Sequence, residues 1–175
     1  MDEIEVKVIE EDFTLIRKQL IKLGAKKTFS GKFSTIYLDT SDLKFKNEKK
    51  VLRVREGKKN VITFKETVSE SGISIYDELE TEVKDTEILV QILKRLGYII
   101  SDKIEKIREI YELDDAEIVF DKLLGKYYFV PEYMEIEASN KQIIESYISK
   151  LGVKSENIKS INSHELINYY KKKND

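Results

Sequence analysis

Charged and apolar residues alternate along several short segments of this chain. The first segment is residues 3–9, Glu-Ile-Glu-Val-Lys-Val-Ile, and the same two-residue period returns over 75–83 and 104–113. Successive side chains of a β-strand point to opposite faces, so this period predicts strands with one charged and one apolar face. Residues 51–55 and 61–65 flank a Gly-Lys-Lys-Asn sequence and predict a hairpin.

Other segments complete the predicted order of elements. A strand is expected over 26–38 with a turn at Ser30-Gly31, and further strands over 116–120 and 127–138. Residues 40–42 predict a turn or the start of a short helix. Apolar residues at helical spacing predict four amphipathic helices, which cover residues 13–23, 86–96, 141–151 and 163–172.

Composition favours one α+β domain spanning residues 1–175, with an antiparallel sheet and helices on its outer side. The chain has no cysteine, which excludes disulfides and thiolate zinc sites. A charged second residue argues against a signal peptide, and no apolar run is long enough for a membrane span. We therefore expect a cytoplasmic protein without a membrane partner.

The charge balance argues against a nucleic-acid partner. Charged residues make up 37% of the chain, but 31 Lys+Arg nearly balance 33 Asp+Glu, and the net charge is only −2. Nucleic-acid binders usually show a basic domain or a concentrated basic face. The informative feature is therefore where charges of each sign lie along the strands.

The charges on the predicted strands are sorted by sign. An antiparallel sheet usually turns its charged face to water, and that explanation suffices for any single strand here. The number of such strands favours a shared charged site instead. The residues concerned are Glu3, Glu5, Lys7, Arg53, Arg55, Lys65, Glu80, Glu82, Lys106, Arg108, Glu135 and Glu137.

Arg53 and Arg55 carry the most specific chemistry of this set. They lie two residues apart and so share one face of a strand, in a chain where lysine is the common cation. A guanidinium presents a fork that matches phosphate oxygens, whereas an ammonium acts as a point charge. The pair therefore suggests an anion, although a pair of surface salt bridges is the better explanation when the two arginines are taken alone.

If the sheet closes into a barrel of about eight strands, these charged faces converge on an interior that holds one small ligand. Charges inside must be paired or must meet ions and ligand. Carboxylates favour hard cations such as Mg²⁺ or Mn²⁺, and arginine and lysine favour phosphate. A polyphosphate bridged to metal by carboxylates would satisfy both sets of charges.

At these residues the sequence resembles the CYTH superfamily of triphosphate tunnel metalloenzymes. The family's Glu-x-Glu-x-Lys near the N-terminus matches residues 3–7, and its later motifs follow in the same order as far as residue 138. They are Leu-Arg-Val-Arg at 52–55, Thr-Phe-Lys at 63–65, Glu-x-Glu at 80–82, Lys-x-Arg at 106–108, Phe-Asp at 120–121 and Glu-x-Glu at 135–137.

The resemblance implies an eight-stranded antiparallel β-barrel whose tunnel binds a linear triphosphate. It implies one or two divalent ions, Mg²⁺ or Mn²⁺, held by Glu3, Glu5, Glu135 and Glu137, with Glu80, Glu82 and Asp121 as further candidates. The basic residues that it implies for the phosphates are Lys7, Arg53, Arg55, Lys65, Lys106 and Arg108. We expect Glu3, Glu5 and Lys7 to take part in catalysis.

Two reactions fit such a site. In hydrolysis, water attacks the terminal phosphorus of inorganic triphosphate, or of a nucleoside or thiamine triphosphate. In cyclisation, the ribose 3′-hydroxyl of ATP attacks the α-phosphorus, as in the class IV adenylyl cyclases that the chain resembles. Hydrolysis needs no base-binding pocket, so we favour a triphosphatase. A non-catalytic module that captures polyphosphate or nucleotide is a third hypothesis, and a surface-charged sheet without a site is the fourth.

Two segments depart from the family pattern. Residues 126–134 form a long aromatic-rich connection containing Pro131, which is either a tunnel rim or an ordinary surface loop. The only histidine, His164, lies at a predicted helix start, where we expect it to be solvated and assign it no role. The related cyclases also suggest a homodimer.

Overall fold

The computed structural model describes residues 2–69 and 73–174, and of residues 2 and 3 the backbone alone. The strands in this part of the chain are β1 (Asp2–Val8), β2 (Lys26–Asp39), β3 (Lys50–Glu56), β4 (Val61–Ser69), β5 (Ser74–Glu82), β6 (Ile99–Glu112), β7 (Ala116–Leu123), β8 (Tyr133–Ala138) and β9 (Ile158–Lys159). The helices are α1 (Phe13–Lys22), α2 (Lys44–Asn47), α3 (Thr86–Arg95), α4 (Lys141–Leu151) and α5 (Ser163–Asn174). Short 3-10 helices lie at Gly125–Tyr127 and Ser155–Asn157.

Eight strands close into an antiparallel barrel. Their order is β5-β4-β3-β2-β6-β7-β8-β1, and a further pairing of β1 with β5 completes the circle. The short strand β9 pairs with β1 outside this ring, at residues 7 and 8. The α+β barrel implied by the sequence is confirmed.

The apolar faces of the strands point outward, toward the helices. Val6 and Val8 of β1 are buried against α1 and α4, in a cluster that includes Leu20, Ile144 and Ile136. Burying such a side chain stabilises the fold by about 1.5–3 kcal/mol. Because the helices cover the outer face, the alternate residues of each strand are directed into the barrel.

Two other helices position the rest of the barrel. α3 packs its Val90 against the outer faces of β2 and β3, next to Leu38 and Val54. α5 places Leu166 in a second cluster with Tyr133 and residues of β2, β6 and β7. No helix within the described residues is long and apolar enough to cross a membrane.

The start of α5 shows how local sequence fixes an element. The Asn162 amide donates to Glu165 Oε2 at 2.8 Å, and the Glu165 amide donates to Asn162 Oδ1 at 3.0 Å. This reciprocal arrangement satisfies two N–H groups that a helix start leaves without partners. It sets the beginning of the helix at Ser163.

Two predicted elements are wrong. β2 continues through Ser30-Gly31 without a turn, because Gly31 pairs with Arg108 of β6. Gly31 instead allows the Phe29 ring to lie close to the backbone, since a Cβ at residue 31 would lie 2.8 Å from the ring. The strand predicted over residues 127–138 begins only at Tyr133, after a 3-10 helix and Pro131, which has no N–H for a ladder.

Candidate active site

The barrel encloses a cavity of about 1240 Å³. This exceeds the volume of an ordinary small-molecule pocket and leaves room for a ligand together with ions and water. All six predicted phosphate-binding residues line it: Lys7, Arg53, Arg55, Lys65, Lys106 and Arg108. Four of the predicted carboxylates line it as well: Glu5, Glu80, Glu135 and Glu137.

Within the described part of the chain, nine charged side chains form a continuous series of alternating sign across the cavity. The series joins residues from seven strands, so only closure of the barrel brings its members together. In order, they are Arg53, Glu78, Lys65, Glu5, Lys7, Glu135, Arg108, Asp121 and Lys106, joined by N···O distances of 3.9, 3.0, 3.6, 2.9, 2.8, 2.6, 2.5 and 2.5 Å.

Lys7 lies in the middle of this series. Its Nζ is 2.9 Å from Glu5 Oε1 and 2.8 Å from Glu135 Oε1, and its side chain is 2% exposed. Burial opposes the charged form, but Glu135 and Glu5 together raise the pKa of Lys7 well above its usual value. The site therefore holds a permanent ammonium in its interior.

Glu135 is the anionic counterpart of Lys7. Burial alone would raise its pKa, but Lys7, Arg108 and Lys106 lower the pKa of Glu135 well below the usual range. Arg108 Nη2 donates to Glu135 Oε2 at 2.6 Å. Glu135 is thus an ionised carboxylate that holds two cations in place.

Asp121 lies behind the cavity wall and is fully buried. It accepts two hydrogen bonds from Arg108, at 2.7 and 2.5 Å, and one from Lys106 at 2.5 Å. These contacts fix the orientation of the Arg108 and Lys106 side chains. Asp121 is directed into the barrel but lies beneath Arg108 and Lys106, so it positions these two phosphate-binding candidates and does not itself line the cavity.

The pKa of Lys106 is low for a lysine. Burial and the neighbouring charge of Arg108 lower the pKa of Lys106 to about 8, despite the opposing effect of Asp121. A small rise in pH above neutral therefore reduces its positive charge.

Phe33 of β2 supports two of the arginines. The guanidinium carbon of Arg55 lies 5.6 Å from the centroid of the Phe33 ring, and that of Arg108 lies 5.5 Å from it. Both contacts are within the range of cation–π attraction. Gly57 allows the ring its position, because a Cβ there would lie 2.6 Å from ring atoms. Sequence analysis missed Phe33, since an aromatic residue in a strand ordinarily indicates core packing.

A row of carboxylates crosses three neighbouring strands. Glu5 of β1 is opposite Glu137 of β8, which is in turn opposite Glu117 of β7. Burial raises the pKa of Glu117, which lines the cavity. Sequence analysis missed Glu117 because residues 116–120 predict a short apolar strand; its alternation with Val119 and Asp121 was the signal available.

The cavity lining carries charges of both signs. It includes thirteen Lys and Arg and nine Asp and Glu. The six predicted phosphate-binding residues are among the cations, and Glu5, Glu78, Glu80, Glu117, Glu135 and Glu137 are among the carboxylates. A triphosphate carries roughly four negative charges, given a second phosphate ionisation near 6. The carboxylates that it would meet supply the oxygen ligands that a hard divalent cation prefers.

The described carboxylates of the cavity do not surround a single point. Among the side chains that the structure describes, no group of three or more His, Asp or Glu residues is arranged to hold a metal ion. Glu5 and Glu137 are the described pair most suited to such an ion, because they are opposite each other on adjacent strands. Glu3 belongs to the same strand as Glu5, but its side chain lies outside the described residues.

The other predicted carboxylates differ in position. Glu80 accepts a hydrogen bond from Thr63 at 2.7 Å and pairs with Arg55 at 3.2 Å. Glu82 has a side chain 65% exposed, bonds to Lys59, and does not line the cavity. Glu82 therefore lies apart from the predicted carboxylates that line the cavity.

One mouth of the cavity is built around Asp102. A shift of register between β2 and β6 directs this carboxylate to the mouth, where it accepts bonds from Lys126 and Tyr127, both at 2.7 Å. His164 Nε2 lies 3.0 Å from Asp102, and its ring packs edge-on against Tyr37. The His164 side chain is 38% exposed, so it keeps partial contact with water while also pairing with Asp102. Burial lowers the pKa of His164. Of residues 126–134, Lys126, Tyr127 and Phe129 line the cavity, as the tunnel-rim alternative predicts.

Comparison with known proteins adds to this geometry. The family model described as CYTH domain matches residues 1–161 of the chain. A curated protein of Methanocaldococcus jannaschii, "Putative adenylate cyclase MJ0240", is 33% identical over 146 residues, which cover 83% of this chain and 81% of the relative.

Solved structures share the fold. The PH1012 protein of Pyrococcus horikoshii OT3 is 29% identical, with a TM-score of 0.78 and coverage of 94% of this chain and 98% of that protein. HpAC1 from Hippeastrum, described as revealing a dominant triphosphatase activity, is 15% identical, with a TM-score of 0.70 and coverage of 96% and 95%. At that identity, the second likeness shows the fold alone.

Proposed function

The chain belongs to the CYTH domain family, and from this premise we propose that it is a divalent-metal-dependent triphosphatase acting on inorganic triphosphate or a related organic triphosphate. The observation that carries the proposal is the alternating series of nine charges inside the barrel. Such a series is costly to bury for structure alone, because each ion must lose its water. An anionic ligand that takes the place of the carboxylates would explain why these cations are held in the interior.

The cations would bind the phosphate groups. Arg53 and Arg55 present forks from one strand, while Lys7, Lys106 and Arg108 approach from β1 and β6. Carboxylates pair with these cations in the structure, so a triphosphate would replace part of each ion pair with a phosphate contact. The fixed direction of Arg108 and Lys106, set by Asp121, means that little reorganisation is needed at the moment of reaction.

Hydrolysis would proceed by in-line attack of water on the terminal phosphorus. The bond from that phosphorus to the bridging oxygen breaks, which releases orthophosphate and leaves pyrophosphate. Glu5 and Glu137 would hold Mg²⁺ or Mn²⁺, one or two ions, with Glu3 as a further ligand; the metal would supply charge neutralisation. Glu5 would also orient the water as a hydrogen-bond acceptor, and Lys7 would stabilise the charge on the transferred group.

Adenylyl cyclase activity is the second candidate. The name of the 33% identical relative favours it, and so does the mouth of the cavity, where Tyr127 and Phe129 offer aromatic surfaces to a base. Cyclisation would require the ribose 3′-hydroxyl to reach the α-phosphorus and pyrophosphate to leave. We place hydrolysis first because water needs no such alignment.

A product assay separates these reactions. The protein is incubated with tripolyphosphate or with ATP, each with Mg²⁺ or Mn²⁺, and the products are separated by ion-exchange chromatography. Orthophosphate from tripolyphosphate is expected. Cyclic AMP as the main product of ATP, without orthophosphate from tripolyphosphate, would overturn the hydrolase proposal.

A binding module without catalysis makes a different prediction from both enzymes. It would retain triphosphate affinity in calorimetry and show no turnover with either metal. The carboxylate row of Glu5, Glu137 and Glu117 argues against this reading, because simple anion capture gains nothing from acidic residues facing the ligand. We further propose that the protein acts in the cytoplasm, without nucleic-acid or membrane partners.

A further inference from the structure

His164 is the only histidine of the chain, and it lies at the mouth of the cavity near the start of α5. Its Nε2 is 3.0 Å from Asp102 Oδ2, and its ring centroid is 4.5 Å from that of Tyr37. The ring lines the same cavity as the six predicted phosphate-binding residues. It therefore meets both the protein and the space that a ligand would enter.

Asp102 fixes which ring nitrogen of His164 carries a hydrogen. The carboxylate accepts hydrogen bonds, each at 2.7 Å, from Lys126 Nζ, the Tyr127 hydroxyl and the Lys103 amide. Burial would raise the pKa of Asp102, but the bonds from Lys126 and Tyr127 lower it below its usual value. An ionised carboxylate can only accept, so His164 Nε2 is the donor, and Nδ1 is the nitrogen that can take up a proton.

The surroundings of the imidazole ring decide whether Nδ1 is protonated. The titratable and charged groups that line the cavity around it are Tyr37 of β2, Lys46 of α2, Asp102 of β6, Lys126 of residues 126–134, and Glu165 and Lys171 of α5 itself. Burial lowers the pKa of His164, and the charges of Lys46 and Lys126 act in the same direction against the opposing effect of Asp102. The protein by itself thus favours a neutral ring.

Strand register places this ring close to the arginine pair. Tyr37 is opposite Asp102 on β6 and opposite Arg53 on β3, so the three residues form one row across neighbouring strands. With strands about 4.8 Å apart, the row spans roughly 10 Å. His164 packs on Tyr37, the middle member of the row. A phosphate group bound by Arg53 would therefore lie within the range over which charges interact in a protein.

We propose that His164 is a proton-coupled anion-binding residue, which takes up a proton at Nδ1 when a triphosphate occupies the cavity and so adds an imidazolium to the cations that hold it. The proton comes from the solvent, and Nε2 keeps its bond to Asp102 in a charge-assisted form. This inference rests on the anionic ligand of the proposed function.

The physical reason is a reversal of the field at the mouth. Lys46 and Lys126 repel a positive ring, whereas a bound triphosphate brings roughly four negative charges. Proton uptake on binding requires that the ligand bind more tightly to the protonated protein. The contribution of His164 to triphosphate affinity therefore increases as the pH falls through its pKa.

Nuclear magnetic resonance tests the proposal on the unaltered chain. Because the chain has one histidine, its Cε1–H resonance reports His164 alone. Metal-free protein is titrated from about pH 5 to 8 with saturating tripolyphosphate, or with sodium chloride at the same ionic strength. Tripolyphosphate should raise the pKa of His164 by at least about 0.5, equivalent to about 3-fold tighter binding to the protonated form. An unchanged or lowered pKa would overturn the proposal.

Calorimetry in buffers of different ionisation enthalpy counts the protons taken up. His164→Gln is the matched variant, because glutamine keeps an N–H donor for Asp102 and has no titratable atom. Near about pH 6 the wild type should take up more protons than this variant. Lys106, with its pKa of about 8, is already charged in both proteins at that pH. The ratio of wild-type to variant affinity should rise about 3- to 10-fold from about pH 7.5 to 5.5.

These measurements separate this inference from the proposed reaction. Turnover of tripolyphosphate with equal proton uptake by wild type and His164→Gln would overturn the role of His164 alone. Binding with the expected proton uptake but no turnover would support that role and overturn the hydrolase. A protein that binds no tripolyphosphate would overturn both.

Discussion

Arg108 and Asp121 form a two-point ion pair between neighbouring strands of the barrel. They are opposite each other in register, with Arg108 Nε 2.7 Å from Oδ1 and Nη2 2.5 Å from Oδ2. This geometry gives the guanidinium a single direction. Asp121 is directed into the barrel like Arg108, and it is fully buried because Arg108 and Lys106 cover its carboxylate.

Replacing Asp121 should destabilise the protein strongly. Asp121→Asn leaves Arg108 and Lys106 buried beside a neutral amide, which is expected to cost about 3–5 kcal/mol of unfolding free energy in urea. Glu82→Gln, at an exposed ion pair, should change stability by less than about 0.5 kcal/mol. A stable Asp121→Asn protein whose activity returns with excess Mg²⁺ would show that Asp121 is a metal ligand instead.

The guanidinium of Arg53 should be needed for its shape as well as its charge. Arg53→Lys keeps the charge and loses the fork, so kcat/KM for tripolyphosphate should fall about 10- to 100-fold, equivalent to about 1.4–2.8 kcal/mol. Steady-state kinetics provide the measurement. Arg95→Lys, an exposed residue on α3, serves as the control and should have no effect.

Phe33 should matter to substrate affinity through the two arginines that it supports. Phe33→Leu removes the ring that lies near both Arg55 and Arg108, and we expect KM for tripolyphosphate to rise about 3- to 10-fold. Phe29→Leu changes a neighbouring ring that makes an edge contact with Phe33. If both variants raise KM equally, the effect comes from loosened packing and not from the cation–π contacts.

Triphosphate affinity should decline as the pH rises through about 8. Lys106 has its pKa lowered to about 8 by burial and by Arg108, so it loses the charge that attracts phosphate above that pH. Calorimetry of metal-free protein at several pH values gives the profile. The triphosphate affinity of Lys106→Arg should depend much less on pH. Dividing the wild-type affinity by the variant's affinity at each pH cancels the effect of the substrate's own ionisation.

The same lysine gives a stability prediction with the opposite direction in pH. Between about 8 and the ordinary value of 10.5, the unfolded chain binds more protons at Lys106 than the folded chain does. The contribution of Lys106 to unfolding free energy should therefore increase as the pH rises through this window. Denaturant titrations of wild type and Lys106→Met, compared at pH 7.5 and 10, isolate this contribution.

Metal affinity should depend on Glu5 and Glu137. Glu5→Gln and Glu137→Gln each remove one charged oxygen ligand, so Mn²⁺ binding in the presence of tripolyphosphate should weaken at least about 10-fold. Electron paramagnetic resonance of free Mn²⁺ measures this without any turnover. Glu82→Gln, outside the cavity, is the matched control; equal weakening by all three variants would contradict the assignment.

Much of the fold follows from local pattern. The alternation over residues 3–9 predicts β1, and helical spacing predicts α1, α3, α4 and α5 within a few residues. Side-chain direction in a strand depends only on position along it, so the sequence shows which charges share a face. It does not show whether that face meets water or a closed interior.

Closure of the barrel decides that question. The family resemblance gave the expectation of a tunnel, but the pairing of β1 with both β5 and β8 is what brings Lys7 near Glu135 and Glu5 near Lys65. These residues are far apart in sequence, and their contact depends on strand order and register. Strands with the same alternation could have formed an open sheet with its charges in water.

The sequence by itself determined the strands, the helices and the sorted charges, because these depend on short-range periodicity and residue type. The tertiary structure alone placed Asp121 behind the cations and Phe33 beside two arginines, and it drew Glu117 into the cavity while leaving Glu82 outside. It also turned His164 toward Asp102. The physical reason is that burial and ion pairing depend on which elements meet, and a single strand or helix does not carry that information.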